Sequence, residues 1–188
     1  ELDDATRKRL APLLQADARK AIRLIRSYDE DEIGSQMTTN FVRISQGISV
    51  KQATRSLILQ ADKNDNINTI YVSDGERHYV GAIDLKDLYT AREYDDLEDI
   101  IVSSYPYVFA EEKIDACVDK IKEYAEDSIP VLDEERRIVG VITATDITEL
   151  VDEEMGEDYA MLAGMTEASD LDETTFQSMK KRLPWLIL

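Results

Sequence analysis

The sequence predicts an α/β fold in which one strand–helix–strand–strand–helix unit is used twice. Three observations carry this. Residues 80–87 read VGAIDLKD and residues 139–146 read VGVITATD. Upstream, IYVSD (70–74) matches IPVLD (129–133) at the same offset of 59 residues. Each matched pair is preceded by a segment with the 3.6-residue apolar period of an amphipathic helix. A repeat at fixed spacing means one supersecondary unit whose copies cover each other's open faces.

The elements follow in order. Residues 1–27 read as two short helices, with Leu10, Leu13 and Leu14 on one face, Pro12 among them, and Ala21, Ile22, Leu24 and Ile25 on another. Residues 28–36 are polar, contain a glycine and read as a linker. The first unit opens with a strand at Phe41–Ile44 and a helix whose inner face is Val50, Ala53, Thr54, Leu57, Ile58 and Ala61. Strands at Ile70–Val72 and Val80–Ile83 follow, joined by a turn marked by Asp74-Gly75, and Leu85–Ala91 starts a second helix. The second unit repeats the order. A strand lies at Tyr107–Phe109, a helix has Ile114, Cys117, Val118, Ile121 and Ala125 inside, strands run over 129–132 and 138–142, and Ile147, Leu150 and Val151 open the closing helix. Residues 155–183 read as mostly helical, with a fresh start at Ser169–Glu173. The expected boundaries are 1–32 for a helical fragment with linker, 33–93 and 94–154 for the two units, and 155–188 for a connecting helix.

Composition narrows the function. The chain has 188 residues, with 22 basic against 40 acidic side chains and a net charge of −18. Phosphate backbones are held by Lys and Arg that release counterions, so nucleic acid is not an expected partner. One cysteine, Cys117, excludes an intramolecular disulfide and favours a reducing compartment. Its spacing from Ile114 and Ile121 reads as packing. His78, the single histidine, falls in a turn, so no Cys/His metal cluster and no His-based triad can be assembled. Asp29–Gly34 and Asp62–Ile67 lack the ligand positions of an EF-hand loop.

Acids concentrate at Asp152, Glu153, Glu154, Glu157 and Asp158. On a helix Glu154 faces Glu157 and Asp158, and like charges at that spacing cost a few tenths of a kcal/mol unless screened or bridged by a cation. Mg²⁺ takes hard oxygen ligands and keeps several waters, which suits an acidic surface. At the end, Lys180-Lys-Arg182 precedes Pro184-Trp185 and an apolar run. This reads equally as a cytoplasmic approach to a bilayer and as a basic helix end packed by a tryptophan. The chain looks cut at its apolar last residue.

The repeats resemble cystathionine-β-synthase (CBS) domains, whose pattern of glycine, apolar residues, Ser/Thr and a late Asp falls on Gly81…Asp87 and on Gly140…Thr143…Asp146. CBS domains pair into a disc whose clefts often hold adenine nucleotides. Further motifs resemble the cytosolic part of the MgtE family of magnesium transporters: SYDEDEIGSQMTTNFV (27–42), EEMGEDYAMLAGM (153–165), like the start of the family's connecting "plug" helix, and KKRLPWLIL (180–188). The resemblance implies a tandem CBS pair with an N-terminal helical fragment and a long C-terminal connecting helix. It also implies a regulatory rather than enzymatic role, on the cytoplasmic side of a multi-pass protein of the cell membrane. The implied partners are a second copy, forming a homodimer, and the protein's own transmembrane pore domain. The implied ligands are Mg²⁺ at Asp146, Glu154, Glu157, Asp158 and Asp115, and ATP at Asp87 (ribose), Lys86 (phosphate) and Tyr71 (adenine wall). Two positions depart from the family's pattern: Ala125 stands where an acid is expected, and Asp84 where Ser or Thr is usual. The competing reading is an adenine-nucleotide-sensing CBS subunit of a soluble enzyme. An enzyme in its own right would need a nucleophile–base pair or phosphate-cradling loop that the sequence lacks.

Overall fold

A computed structural model describes residues 16–93, 95–122 and 126–150. The chain divides into two units, Glu1–Ile147 and Thr148–Leu188, and nearly all described residues belong to the first. The helices expected over 1–14 and 155–183 lie outside the described residues.

Helix α1 (Ala16–Ile25) carries Asp17 in its first turn and Arg23 in its last, signs that complement the helix dipole. Repeat 1 comprises β1 (Val42–Ser45), α3 (Val50–Ala61), β2 (Thr69–Ser73), β3 (Tyr79–Asp84) and α4 (Leu85–Thr90), α2 being the short helix described below. Repeat 2 comprises β4 (Val108–Phe109), α5 (Ile114–Lys122), β5 (Ser128–Leu132), β6 (Ile138–Thr143) and a helix α6 over residues 144–150. In each sheet the middle strand runs parallel to the first and antiparallel to the third. Bulges fall at matching places, Val72/Ser73 and Val131/Leu132.

The local chemistry explains these elements. Ser49 and Gln52 form a reciprocal capping box at the start of α3, which buries Val50, Ala53 and Leu57 at i, i+3 and i+7. Strands β2 and β5 are buried on every residue, because one face meets the repeat's own helices and the other meets the opposite repeat. Alternation then sorts the side chains: Ile70 and Val72 enter the core of repeat 1, while Tyr71 enters the seam between repeats. The seam is aromatic. Tyr71 meets Phe41 and Tyr105 edge to face, and Tyr79 meets Tyr107 likewise, a geometry that pairs ring edges with ring faces.

One sequence expectation is corrected. Residues 28–36 are not simply a linker: α2 (Ile33–Gln36) has Ile33 and Gly34 buried. The turn marked by Asp74-Gly75 is present between the two strands, and one of its residues takes the left-handed conformation. Arg77 (φ 74°) does so, as does Arg136 (φ 61°) at the matching place, while Asp74 and Asp133 organise the two turns by accepting from the backbone amides of His78 and Arg137.

The repeat boundaries also cross in space. Ile33 and Met37 pack into the core of repeat 2, and Thr38 exchanges backbone bonds with Val141. Reciprocally, Leu97 packs into the core of repeat 1, and Val102 exchanges bonds with Ala82. The motif glycines are required by these crossings. A Cβ on Gly81 would lie 2.7 Å from the Val102 carbonyl oxygen, and one on Gly140 would lie 2.5 Å from Met37 Sδ.

Candidate functional site

The late Asp of each repeat sits at the third position of a helix that starts straight from the hairpin, and the two copies differ. In repeat 2, Asp146 Oδ2 accepts from the Thr143 amide at 2.8 Å and from Thr143 Oγ1 at 2.7 Å, and the Asp146 amide donates back to Thr143 Oγ1 at 3.3 Å. This is a closed reciprocal cap. In repeat 1 the first position is Asp84, whose carboxylate accepts from the Lys86 amide at 2.7 Å. A carboxylate has no proton to give to Asp87, so the hydroxyl-to-carboxylate bond of the repeat 2 cap has no counterpart here. Asp87 is exposed, and its carboxylate has no hydrogen-bond partner among the described residues.

Of the residues expected to meet a nucleotide, Asp87 and Lys86 lie exposed at the start of α4, adjacent in sequence and open to a ribose and a phosphate. Tyr71 is a correction. It is 0% exposed, and its hydroxyl lies 2.6 Å from Ser128 Oγ, so it belongs to the seam and does not wall an open pocket. Burial pushes its phenol far above the usual range. Tyr105, whose hydroxyl donates to the Ser128 carbonyl at 2.7 Å, is pushed up to about 12 by burial. Tyr79 is buried with a hydroxyl that has no hydrogen-bond partner among the described residues, in the same aromatic cluster.

Of the acids expected to meet Mg²⁺, Glu154, Glu157 and Asp158 lie outside the described residues. Asp115 is exposed in the first turn of α5, and Asp146 has one oxygen committed to its cap. Among the described residues no group of three or more His, Cys, Asp or Glu side chains is arranged to hold a metal ion. His78 Nδ1 lies 3.0 Å from Asp74 Oδ2, a turn-stabilising pair that holds the Asp74 carboxyl below its usual range. Like charges do converge at one corner: Glu134 pushes the Glu111 carboxyl up, with Glu32 and Asp133 adding to it. Nearby, Lys113 pairs with Asp31 at 2.8 Å and holds that carboxyl down.

A feature the sequence reading missed is a polar cleft of about 280 Å³ between the repeats. It is lined by Asp65, Asn66, Asn68 and Thr69 from one and by Asp127, Ser128 and Thr143–Thr145 from the other. Asn68 Nδ2 donates to Asp127 Oδ2 across it at 3.1 Å. Among the described residues no lysine or arginine lines it, which suits it poorly to phosphate. Its signal was present in the repeat spacing. Ala82 and Val141 stand 59 residues apart, but Thr38 and Val102 stand 64 apart, so repeat 1 carries five extra residues in the loop after α3 that supplies Asp65–Asn68.

Residues 97–153 match the family model for the CBS domain. The chain is 33% identical over 160 residues to the magnesium transporter MgtE of Enterococcus faecalis, covering 85% of this chain and 35% of that protein. It is similar to the crystal structure of the soluble part of a magnesium transporter (TM-score 0.75, 29% identity, 81% of this chain and 60% of that one). It is also similar to the cytosolic domain of the Mg²⁺ channel MgtE in complex with ATP (TM-score 0.72, 30% identity, 79% of this chain and 60% of that one). The chain thus spans about a third of the length of its curated relative. Among the described residues no helix is long and apolar enough to cross a membrane.

Proposed function

Given that this chain belongs to the MgtE family as a cytosolic region built on a CBS pair, we propose that it is the Mg²⁺-sensing regulatory part of a magnesium transporter or channel. The observation that carries the reading is the 30% identity and TM-score of 0.72 to the cytosolic domain of a Mg²⁺ channel over 79% of the chain. The physical logic is population shift. A surface at −18 repels its own copy, and a divalent cation between carboxylates favours the compact arrangement. Glu154, Glu157 and Asp158, with Asp146 and Asp115, would hold the ion, largely through its waters, since Mg²⁺ commonly takes only one or two carboxylates directly. The working unit is a homodimer acting on a transmembrane pore domain of the same protein.

ATP is the second ligand proposed. Asp87 would accept the ribose hydroxyls and Lys86 would face a phosphate, since both are exposed and Asp87 is not spent on a cap. Asp84 opposes phosphate there, and Tyr71 plays no part without a rearrangement of the seam. The alternative, an adenylate-sensing CBS subunit of a soluble enzyme, has only the same exposed pair in its favour.

The test is a melt with millimolar MgCl₂ against NaCl of equal ionic strength, because screening alone shortens the Debye length. The expected result is a Mg²⁺-specific rise in melting temperature that Glu154→Gln with Glu157→Gln and Asp158→Asn abolishes. Asp95→Asn with Asp96→Asn should leave it intact, since asparagine still accepts from the Arg92 and Glu98 amides those side chains cap. Equal responses in parent, triple and control variants would reduce the acidic cluster to a solvated face.

A further inference from the structure

The two hairpin turns meet through a bridge between His78 and Arg137, but their surroundings differ in charge. The strand registers Ile44–Val72 and Val108–Val131 fix which residues correspond. Glu111 and Glu134 of the acidic corner stand where repeat 1 has Gly47 and Gly75, and Tyr107 stands where repeat 1 has Arg43. In repeat 2 the turn arginine, Arg136, lies 5.2 Å from the centre of the Tyr107 ring and donates to the Tyr107 hydroxyl at 3.3 Å, a cation–π pair. In repeat 1 the same reach brings the turn arginine, Arg77, to a second guanidinium. Burial, and then the Arg77 charge, hold Arg43 below the usual arginine range. Repeat 1 thus has two cations where repeat 2 has a cation on an aromatic ring, and it lacks the two acids beside them.

We propose that Arg43 and Arg77 form a binding site for a phosphate dianion carried by a small soluble molecule. Arg43 is half-buried and bonds Gln60 through its backbone, which leaves its guanidinium uncommitted. Neither guanidinium has a hydrogen bond or ion pair among the described residues. Nearby carboxylates are engaged elsewhere. Asp74 accepts from the His78 amide and faces its ring, Glu76 lies 3.9 Å from the same ring, and Glu98 accepts from Gln46 and from the Gly47 amide. A half-buried charge beside a like charge is costly until a counter-ion meets it. Charge count selects the ligand: two guanidiniums balance a dianion, and each fork can take two phosphate oxygens, whereas a carboxylate would neutralise only one. The net charge of −18 opposes any anion at long range, but that repulsion is screened beyond about 10 Å at 0.1 M salt, so pairing at contact decides. The site is separate from the exposed Asp87–Lys86 pair. Arg77 precedes the six-residue strand β3 and Asp87 follows it, which sets them about 20 Å apart.

The test copies repeat 2 into repeat 1 with Arg43→Tyr. Calorimetry titrates inorganic phosphate into the 188-residue chain and the variant, without Mg²⁺, against NaCl of equal ionic strength and above pH about 7, where the dianion dominates. The expected result is phosphate binding by the parent that weakens about tenfold or more in Arg43→Tyr, the scale of one lost charge-assisted pair. Without phosphate the same variant should melt above the parent, because Arg77 gains a ring and loses a like charge. Arg77→Gln, at an exposed position, should weaken phosphate by a similar factor and serves as the second variant. ATP held through Asp87 and Lys86 should bind parent and Arg43→Tyr alike, so failure of the nucleotide reading leaves the phosphate result standing. A parent without phosphate affinity would overturn the proposal, as would equal affinity in parent and both variants. Arg43→Tyr melting below the parent in phosphate-free buffer would mean that an acid of the chain already fills the site, also against it. Binding to phosphatidate vesicles but not to free phosphate would place the phosphate on a lipid and overturn the soluble ligand.

Discussion

The two repeats share a backbone and differ in what they have left to spend. Repeat 2 closes its hairpin-to-helix junction with a Thr143–Asp146 cap in which each residue donates to the other and each accepts. Repeat 1 has Asp84 and Asp87 at the same two positions, and two ionised carboxylates cannot share the side-chain hydrogen bond that Thr143 gives Asp146. It therefore loses a local bond and keeps an unengaged acid on the surface. The outer helical face follows the same division, apolar in repeat 1 and polar by sequence in repeat 2. One copy is closer to pure scaffold, and the other carries the features that a ligand or a partner can use.

The largest effect should come from the seam where the repeats meet, because both depend on it. Tyr71, Tyr79 and Tyr105 are all pushed above the ordinary phenol value by burial. A group whose folded pKa is raised contributes stability that is complete below its unfolded pKa and is lost as pH rises through the folded one. Stability should thus be flat below pH about 10, the unfolded tyrosine value, and fall steeply above it. The seam tyrosines' share of the tyrosinate absorbance should appear together with loss of the folded circular dichroism rather than before it. Ionisation of all nine tyrosines at pH about 10 with the fold intact would contradict the buried seam. A neutral-pH pair sharpens the point: Tyr71→Phe should cost about 1 kcal/mol by stranding Ser128, whereas Tyr79→Phe, whose hydroxyl has no partner among the described residues, should be neutral or stabilising.

Next is the crossing of chain segments. Gly81→Ala forces a methyl against backbone, the Val102 carbonyl, which cannot move without breaking its pairing with Ala82. Gly140→Ala meets first the flexible end of Met37, although the Thr38 carbonyl also lies 2.9 Å away. Overpacking of this kind costs about 1–3 kcal/mol. Gly81→Ala should fall at the upper end and Gly140→Ala below it in urea unfolding. Equal costs would mean that Met37 is held as firmly as backbone.

The sequence made much of this legible, for reasons that can be named. The strand and helix order of both repeats was visible because apolar periodicity reports burial directly, and β2, α3 and β6 lie within a residue or two of where it placed them. The crossing of 33–38 and 97–102 was not, because a local pattern says that Ile33 and Met37 are apolar but not which core receives them. Tyr71 was misread for a related reason: a strand residue pointing away from its own helices looks open until the second repeat covers it. Asp87 was identified through resemblance alone. What distinguishes it from Asp146 is the chemistry of the residue three positions earlier, which can be read by eye once the cap is considered.

Removing either half of the closed cap, by Thr143→Ala or Asp146→Ala, should cost about 1 kcal/mol in the absence of ligand. Asp87→Ala should cost close to nothing, since its carboxylate has no partner among the described residues. Comparable losses at Asp87 and Asp146 in thermal melts would erase the contrast between the repeats.

The smallest effect is the most discriminating, because it tries to convert one repeat into the other. Asp84 already accepts from the Lys86 amide, so Asp84→Thr does not simply add a cap. What it adds is a hydroxyl proton for the Asp87 carboxylate, as Thr143 supplies to Asp146. It also removes the clash of two carboxylates three residues apart in a chain already at −18. The expected gain is about 0.5–1 kcal/mol, the size of a capping interaction, and it should depend on Asp87. A double-mutant cycle with Asp87→Ala measures that dependence directly. If Asp84→Thr stabilises equally with and without the Asp87 carboxylate, the gain is relief of charge alone. In that case the unengaged state of Asp87 does not arise from the residue at position 84.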